Sequence, residues 1–144
     1  MKKIKAFEPL FFLFFGIFHL HRIWGLIDRV PYADFWMGIL MRKDCLYYLL
    51  MGFLTILCMW GIKTFFNNLH NNFWWRWIYL WGGAYVLFDL FAIATGLKFW
   101  RELLFKMFDV ANPYWNLIWG IFILLGGVIF CLGIQLLMNR RKQK

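Results

Sequence analysis

Four long apolar segments, separated by short polar connectors, dominate the pattern of hydrophobic and polar positions in this chain of 144 residues. The segments cover residues 9–27, 45–62, 77–97 and 115–138. A helix needs about 20 consecutive apolar residues to cross a hydrocarbon core of ~30 Å. The pattern therefore predicts an all-α integral membrane protein, in which residues 1–144 form a single domain of four transmembrane helices.

The connectors that follow the first and third apolar segments share an amphipathic pattern. Residues 35–42 and 99–106 both begin with Phe-Trp and end with a basic residue. In the second of these stretches, apolar residues share one helical face and charged residues take the other, which is typical of helices that lie in the membrane interface. We therefore expect two helix–elbow–helix hairpins, with a short amphipathic interfacial helix in each outer connector.

The composition excludes an ordinary soluble domain. The chain is 63% hydrophobic and 16% charged, whereas soluble domains carry about 45–50% apolar and about 25% charged residues. A net charge of +9 would suggest nucleic-acid binding in a soluble protein. Here the basic residues lie mainly at the ends of the apolar segments, where they set orientation. The lipid bilayer is therefore the expected partner, and nucleic acid is not.

The distribution of basic residues predicts which side of the membrane each connector faces. Nine of them lie in the termini and the middle connector, while the other two connectors hold six basic and five acidic residues. Because basic residues favour the cytoplasmic side, both termini are predicted to be cytoplasmic, in a bacterial cytoplasmic membrane. The first segment lacks a small-x-small cleavage site, so we interpret it as a retained span rather than a secretory signal.

Polar side chains interrupt the apolar segments at a common depth. His19 and Arg22 lie in the first segment and Asp89 in the third; at 1.5 Å per residue, each is ~15–20 Å from the cytoplasmic boundary. An unpaired charge at that depth is costly, which predicts that Arg22 pairs with Asp89 and that His19 is a secondary partner. Tyr85, one turn before Asp89, completes a predicted polar cluster of His19, Arg22, Tyr85 and Asp89. The cluster has two interpretations, a structural lock between helices or a site for a ligand, ion or proton.

No metal or cofactor is expected. His19 and His21 are separated by about 200° around a regular helix, so they cannot bind one metal together. The three cysteines form no Cys-x-x-Cys pair, which argues against a thiol–disulfide relay. Glu8 precedes Pro9, the predicted first residue of helix one, and we interpret its carboxylate as a cap for that helix, with a proton or cation site as the alternative.

Small residues predict where helices pack closely. Gly82, Ala92 and Gly96 share a face of the third span with Tyr85 and Asp89. In the fourth span the predicted close-packing positions are Gly120, Gly126, Gly127 and Gly133.

The sequence leaves two hypotheses about function. Because it contains no hydrolase motif and no carboxylates spaced for acid–base catalysis, the favoured one is a non-enzymatic binding, accessory or protective subunit. Such a subunit would act through helix packing with a membrane-protein partner or a second copy, and a lipid or small hydrophobic molecule is a candidate ligand. The alternative is a small transporter or a lipid-active membrane enzyme that uses His19, Arg22 and Asp89.

Overall fold

The computed structural model describes residues 3–143, apart from the side chain of Asn71. Its α-helices are α1 (Phe7–Leu20), α2 (Ile23–Ile27), α3 (Arg29–Arg42), α4 (Cys45–Phe66), α5 (Trp77–Thr95), α6 (Lys98–Met107) and α7 (Trp115–Arg141). Two short 3-10 turns, Leu69–Asn71 and Trp74–Arg76, connect α4 to α5.

Among residues 3–143, four helical stretches are long and apolar enough to cross a membrane, as the hydropathy pattern predicts. They are Phe7–Ile27, Cys45–Phe66, Trp74–Thr95 and Trp115–Arg141. The first begins two residues before Pro9, so the predicted start of helix one is wrong. Proline is tolerated there because the N–H groups of the first helical turn have no partner within the helix.

Glu8 lies in the first turn of α1, inside the helix rather than before it as predicted. Its carboxylate Oε2 accepts the backbone N–H of Lys5 at 2.6 Å, and its own N–H donates to Lys5 O at 3.2 Å. The Glu8 side chain is fully buried.

The chain forms two compact units. In the first unit, Lys3–Phe35 with Lys106–Lys144, helices α1 and α2 pack on α7. In the second unit, Trp36–Phe105, helix α4 packs on α5. The pairs within units are thus the first span with the fourth and the second with the third. This packing does not confirm the predicted hairpins, which join the first span to the second and the third to the fourth.

Three glycines allow the backbones of α1 and α7 to approach closely. A Cβ atom added to Gly16 would lie 2.6 Å from Phe130 Cβ, and one added to Gly126 would lie 2.6 Å from His19 Cβ. These distances are shorter than real Cβ contacts, so no larger residue fits unless a helix moves. The same holds at Gly133, which faces the backbone of α1.

The predicted glycine positions are therefore right only in part. Gly126 and Gly133 lie at the crossing of α1 and α7, but Gly120 and Gly127 have no atom within 4 Å of an added Cβ. In the second unit the glycine that faces α4 is Gly83, where an added Cβ would lie 3.2 Å from Ile62. The predicted Gly82 is one residue away, which is a rotation of about 100° around the helix.

Gly96 has a different role from the predicted one. Its φ of +68° is left-handed, a conformation that glycine adopts without strain, and it ends α5. Its N–H donates to Ile93 O at 3.3 Å and the next N–H donates to Ala92 O at 3.1 Å. Gly96 is thus a helix C-cap.

The connectors after the first and third spans are both helical, as the repeated Phe-Trp pattern predicts: α3 lies in the first and α6 in the second. Their position at the membrane interface stays a prediction from the sequence.

Candidate functional site

The first span is interrupted at His21 and Arg22, which form a turn between α1 and α2. In a continuous helix the N–H of Arg22 would donate to Phe18 O. That carbonyl is occupied by two side chains, since it accepts from His21 Nδ1 and from Arg22 Nη1 at 3.0 Å. The Arg22 N–H donates to His19 O at 3.3 Å instead. Side-chain competition for one carbonyl thus explains the break in the helix.

The Arg22 guanidinium lies in an aromatic pocket of the first unit. It is 4.9 Å from the centre of the Phe122 ring, 5.5 Å from Phe18 and 5.8 Å from Trp119. A cation over ring faces at these distances is attracted by their negative quadrupole, and more strongly where water is excluded. Nη1 also donates to His19 Nδ1 at 2.8 Å. Ring faces and a histidine lone pair therefore stabilise this charge.

The two histidines carry their protons on different ring nitrogens. A guanidinium can only donate, so His19 Nδ1 accepts and the ring is neutral, with its proton on Nε2. A carbonyl can only accept, so His21 Nδ1 carries a proton. The His19 ring lies parallel to Phe122, with centroids 5.9 Å apart. His19 is thus a structural partner of Arg22 and Phe122.

An aromatic core lies next to this pocket. Tyr32, only 1% exposed, packs against Trp119, Trp115 and Phe108, with ring centroids 5.5, 6.2 and 6.1 Å away. Burial raises the pKa of Tyr32 to about 12, although the charge of Arg22 opposes this shift. The Tyr32 ring also explains why residue 25 is glycine, because a Cβ atom added to Gly25 would lie 2.7 Å from that ring.

The two tryptophans of this core differ in their hydrogen bonding. Trp115 Nε1 donates to Gly25 O at 2.8 Å, which ties α7 to α2. Trp119 is 2% exposed, and its Nε1 has no hydrogen-bond acceptor among the described residues. Sequence reasoning missed these residues, although Trp115, Trp119 and Phe122 recur at spacings of four and three on one face of the fourth span.

In the second unit, Asp89 bonds to a residue of helix α6. Trp100 Nε1 of α6 donates to Asp89 Oδ1 at 2.6 Å, and the Trp100 ring meets Phe88 edge to face, with centroids 5.2 Å apart. Trp100 is half-buried, so it packs against protein, whereas Phe99 and Leu103 of the same predicted apolar face are exposed. Tyr85, one turn before Asp89, is exposed.

The four residues of the predicted cluster belong to different units. His19 and Arg22 contact each other in the first unit, and Tyr85 and Asp89 belong to α5 of the second. The pairing of Arg22 with Asp89 stays a prediction from the sequence. Among residues 3–143, no three His, Cys, Asp or Glu side chains come close enough together to hold a metal ion.

No protein-family model, curated protein or solved structure matches the chain.

Proposed function

We propose that the chain is a small non-enzymatic membrane protein, a binding or accessory subunit whose helix α5 docks against a helix of a partner membrane protein. The observation that supports this proposal is a row of exposed aromatic side chains along α5. The row consists of Trp77, Trp81, Tyr85, Phe88 and Phe91.

The row differs from the exposed face of α7, which is aliphatic. Leu117, Ile121, Leu124 and Val128 present an ordinary lipid-facing surface. Tryptophan and tyrosine in membrane proteins concentrate at the two interfaces, whereas the row on α5 continues from Trp77 through the middle of the span. Large aromatic side chains are enriched where proteins contact each other, and Ala84 in the same exposed face lets a partner backbone approach.

The contacts of the polar residues inside the spans also support the proposal of a binding protein. Arg22 and His19 are bonded to each other and to the aromatic pocket, and Asp89 is bonded to Trp100. In this proposal these groups hold the bend in the first span and the position of α6, rather than act on a substrate.

The proposed topology follows from the distribution of charge. Both termini lie in the cytoplasm of a bacterial cell, and α3 and α6 lie at the outer surface of the cytoplasmic membrane. The exposed Phe99 and Leu103 of α6 support contact with the bilayer. Reporter fusions at residue 144 and in the 67–72 connector should both report the cytoplasm.

Photocrosslinking in the native membrane tests the docking proposal. A photoreactive phenylalanine analogue replaces Trp81 of α5 in the full chain, and a matched control carries it at Leu124 of α7; these side chains are 70% and 73% exposed. We expect a discrete protein adduct from position 81 and lipid adducts alone from position 124. An adduct of twice the chain mass would identify a second copy as the partner. Lipid adducts alone from both positions would show that α5 faces the bilayer and would contradict the proposal.

The alternative, a small transporter or a lipid-active enzyme, has one observation in its favour, the half-buried His19 beside Arg22 at a break in a span. Intramembrane ionisable groups at such breaks often belong to substrate or proton pathways. Replacing His19 by Phe preserves the ring that stacks on Phe122 and removes the acceptor for Arg22. Normal folded yield with loss of the biological phenotype would favour the alternative.

A further inference from the structure

A cavity of about 200 Å³ opens in the second unit. It lies between the C-terminal part of α3, the end of α5 and one face of α6. Its wall is mainly apolar and includes Met37, Leu40, Ile93 and Leu104, while Lys43 and Arg101 contribute two basic side chains. Lys43 and Arg101 are both exposed, so their charged ends reach water.

The cavity lies where two spans end. Lys43 lies two residues before the span Cys45–Phe66, and Gly96 directly follows the span Trp74–Thr95. Helices α4 and α5 pack on each other and are joined by a short connector, so these two ends are at the same membrane boundary. Phospholipid headgroups lie at this level, and acyl chains begin just below it.

The charges around the cavity favour an anion. Helices α3 and α5 both end here, and each helix end carries about −0.5 elementary charge. Lys43 and Arg101 together outweigh that partial charge by about one full positive charge. The nearest acidic residues in sequence do not line the cavity. Asp44 accepts the Tyr47 N–H at 3.2 Å as the cap of α4, and Glu102 is one turn from Lys98 and Lys106 on α6.

The backbone of Lys43 is held in an unfavourable conformation. Its φ is +48°, in the left-handed region that favours glycine and asparagine. Glycine, which has no Cβ, or asparagine would end α3 at lower cost. Strained backbone positions cluster at binding and active sites, and Lys43 places an ammonium group at the cavity.

The size of the cavity indicates what part of a ligand it holds. A cavity of ~150 Å³ accommodates a molecule such as benzene, and pockets that enclose a whole drug-sized ligand begin at ~300 Å³. At about 200 Å³, this cavity fits one end of an amphiphile whose remainder lies in the bilayer. Methionine side chains in the wall adapt to a flexible chain.

We propose that this cavity is a binding site for an anionic phospholipid, with Lys43 and Arg101 contacting the headgroup phosphate and the upper acyl chain lying against Met37, Leu40, Ile93 and Leu104. The site is separate from the aromatic face of α5 and does not depend on the function proposed for that face.

Native mass spectrometry of the full chain, released from mixed phosphatidylglycerol and phosphatidylcholine nanodiscs, tests this site. The measured quantity is the ratio of bound phosphatidylglycerol to bound phosphatidylcholine. One basic residue near a membrane surface changes the binding of anionic lipid about five-fold. We therefore expect Lys43→Asn and Arg101→Gln each to lower the ratio about five-fold. Both positions are exposed, and asparagine suits the left-handed backbone at residue 43, so both variants should fold.

Lys98→Gln is the matched control, because Lys98 is on α6 one turn from Arg101 but does not line the cavity. An unchanged ratio in this variant supports a specific site. An equal loss in all three variants would show diffuse attraction to the surface, and no loss in Lys43→Asn and Arg101→Gln would show that the cavity does not select lipid; either result overturns the proposal. Displacement of the lipid by excess inorganic phosphate would also overturn it, because the site would then hold phosphate without the acyl chain.

Discussion

Trp100 Nε1 donates a 2.6 Å hydrogen bond to Asp89 Oδ1, and this bond joins the amphipathic helix α6 to the span α5. An acidic residue inside an apolar helix thus has an indole N–H as a partner within its own unit. The bond places Trp100 against α5, while Phe99 and Leu103 of α6 remain exposed.

Removing the carboxylate should therefore destabilise the second unit. A hydrogen bond to a charged group contributes about 1.5–3 kcal/mol, so Asp89→Leu should lower the free energy of unfolding by about that amount. Asp89→Asn keeps an oxygen acceptor and should cost less. Unfolding in mixed micelles with increasing dodecyl sulfate measures both.

Trp100→Phe provides the other half of a double-mutant cycle. If the bond exists, Asp89→Leu should lower the free energy of unfolding clearly less in the Trp100→Phe background than in the unmodified chain. Effects that add to within about 0.5 kcal/mol would show that the two residues are not coupled.

Two adjacent glycines of α7 offer a sharp comparison of packing. Gly126→Ala should destabilise the protein by about 1–3 kcal/mol, because the added methyl group would lie 2.6 Å from His19 Cβ. Gly127→Ala meets no atom within 4 Å, and alanine is favoured over glycine in a helix by about 1 kcal/mol, so this variant should be neutral or slightly more stable. The same micelle unfolding assay measures the difference, and equal effects at the two positions would mean that α7 packs with another face.

The aromatic pocket should stabilise Arg22 through the ring of Phe122. Phe122→Leu keeps an apolar side chain but removes the π face 4.9 Å from the guanidinium. We expect a loss of about 1–2 kcal/mol, the range for a desolvated cation–π contact. In an Arg22→Met background the same substitution should cost less, and an unchanged cost would show that the ring acts only by filling space.

The pKa of Tyr32 predicts a loss of stability at alkaline pH. An unfolded chain loses the phenolic proton near pH 10.0, whereas the folded protein keeps it until about pH 12. The stabilisation is therefore complete below pH 10.0 and is lost as the pH rises through about 12. A shift of two pKa units corresponds to a loss of about 2–3 kcal/mol in the free energy of unfolding.

Denaturant unfolding at a series of pH values checks this effect. Tyr32→Phe has no phenolic proton to lose, so its free energy of unfolding should fall correspondingly less between pH 10.0 and about pH 12. Tyr114→Phe, which changes an exposed tyrosine, is the matched control and should follow the unmodified chain. A Tyr32→Phe variant with the full alkaline loss would mean that other groups cause it.

The sequence by itself determined the four spans and the helical connectors between them. Hydropathy is a sum over about 20 residues, so it needs no knowledge of neighbours in space. The amphipathic pattern of residues 99–106 was equally local, and α6 forms there. Likewise, the sequence marked His19, Arg22 and Asp89 as unusual because any polar group in an apolar segment is conspicuous.

Only the tertiary structure decided which spans pack together and which face each one uses. A span that is apolar all round has no polar side to fix its rotation, so nothing local distinguished Gly82 from Gly83. Two of the ring faces around Arg22, those of Trp119 and Phe122, come from α7, about a hundred residues later in the chain. The donor for Asp89 resembled a lipid-facing tryptophan. Both sets of partners lie on different helices and are brought together by helix packing, whose close contacts depend on the rotation of each helix about its axis.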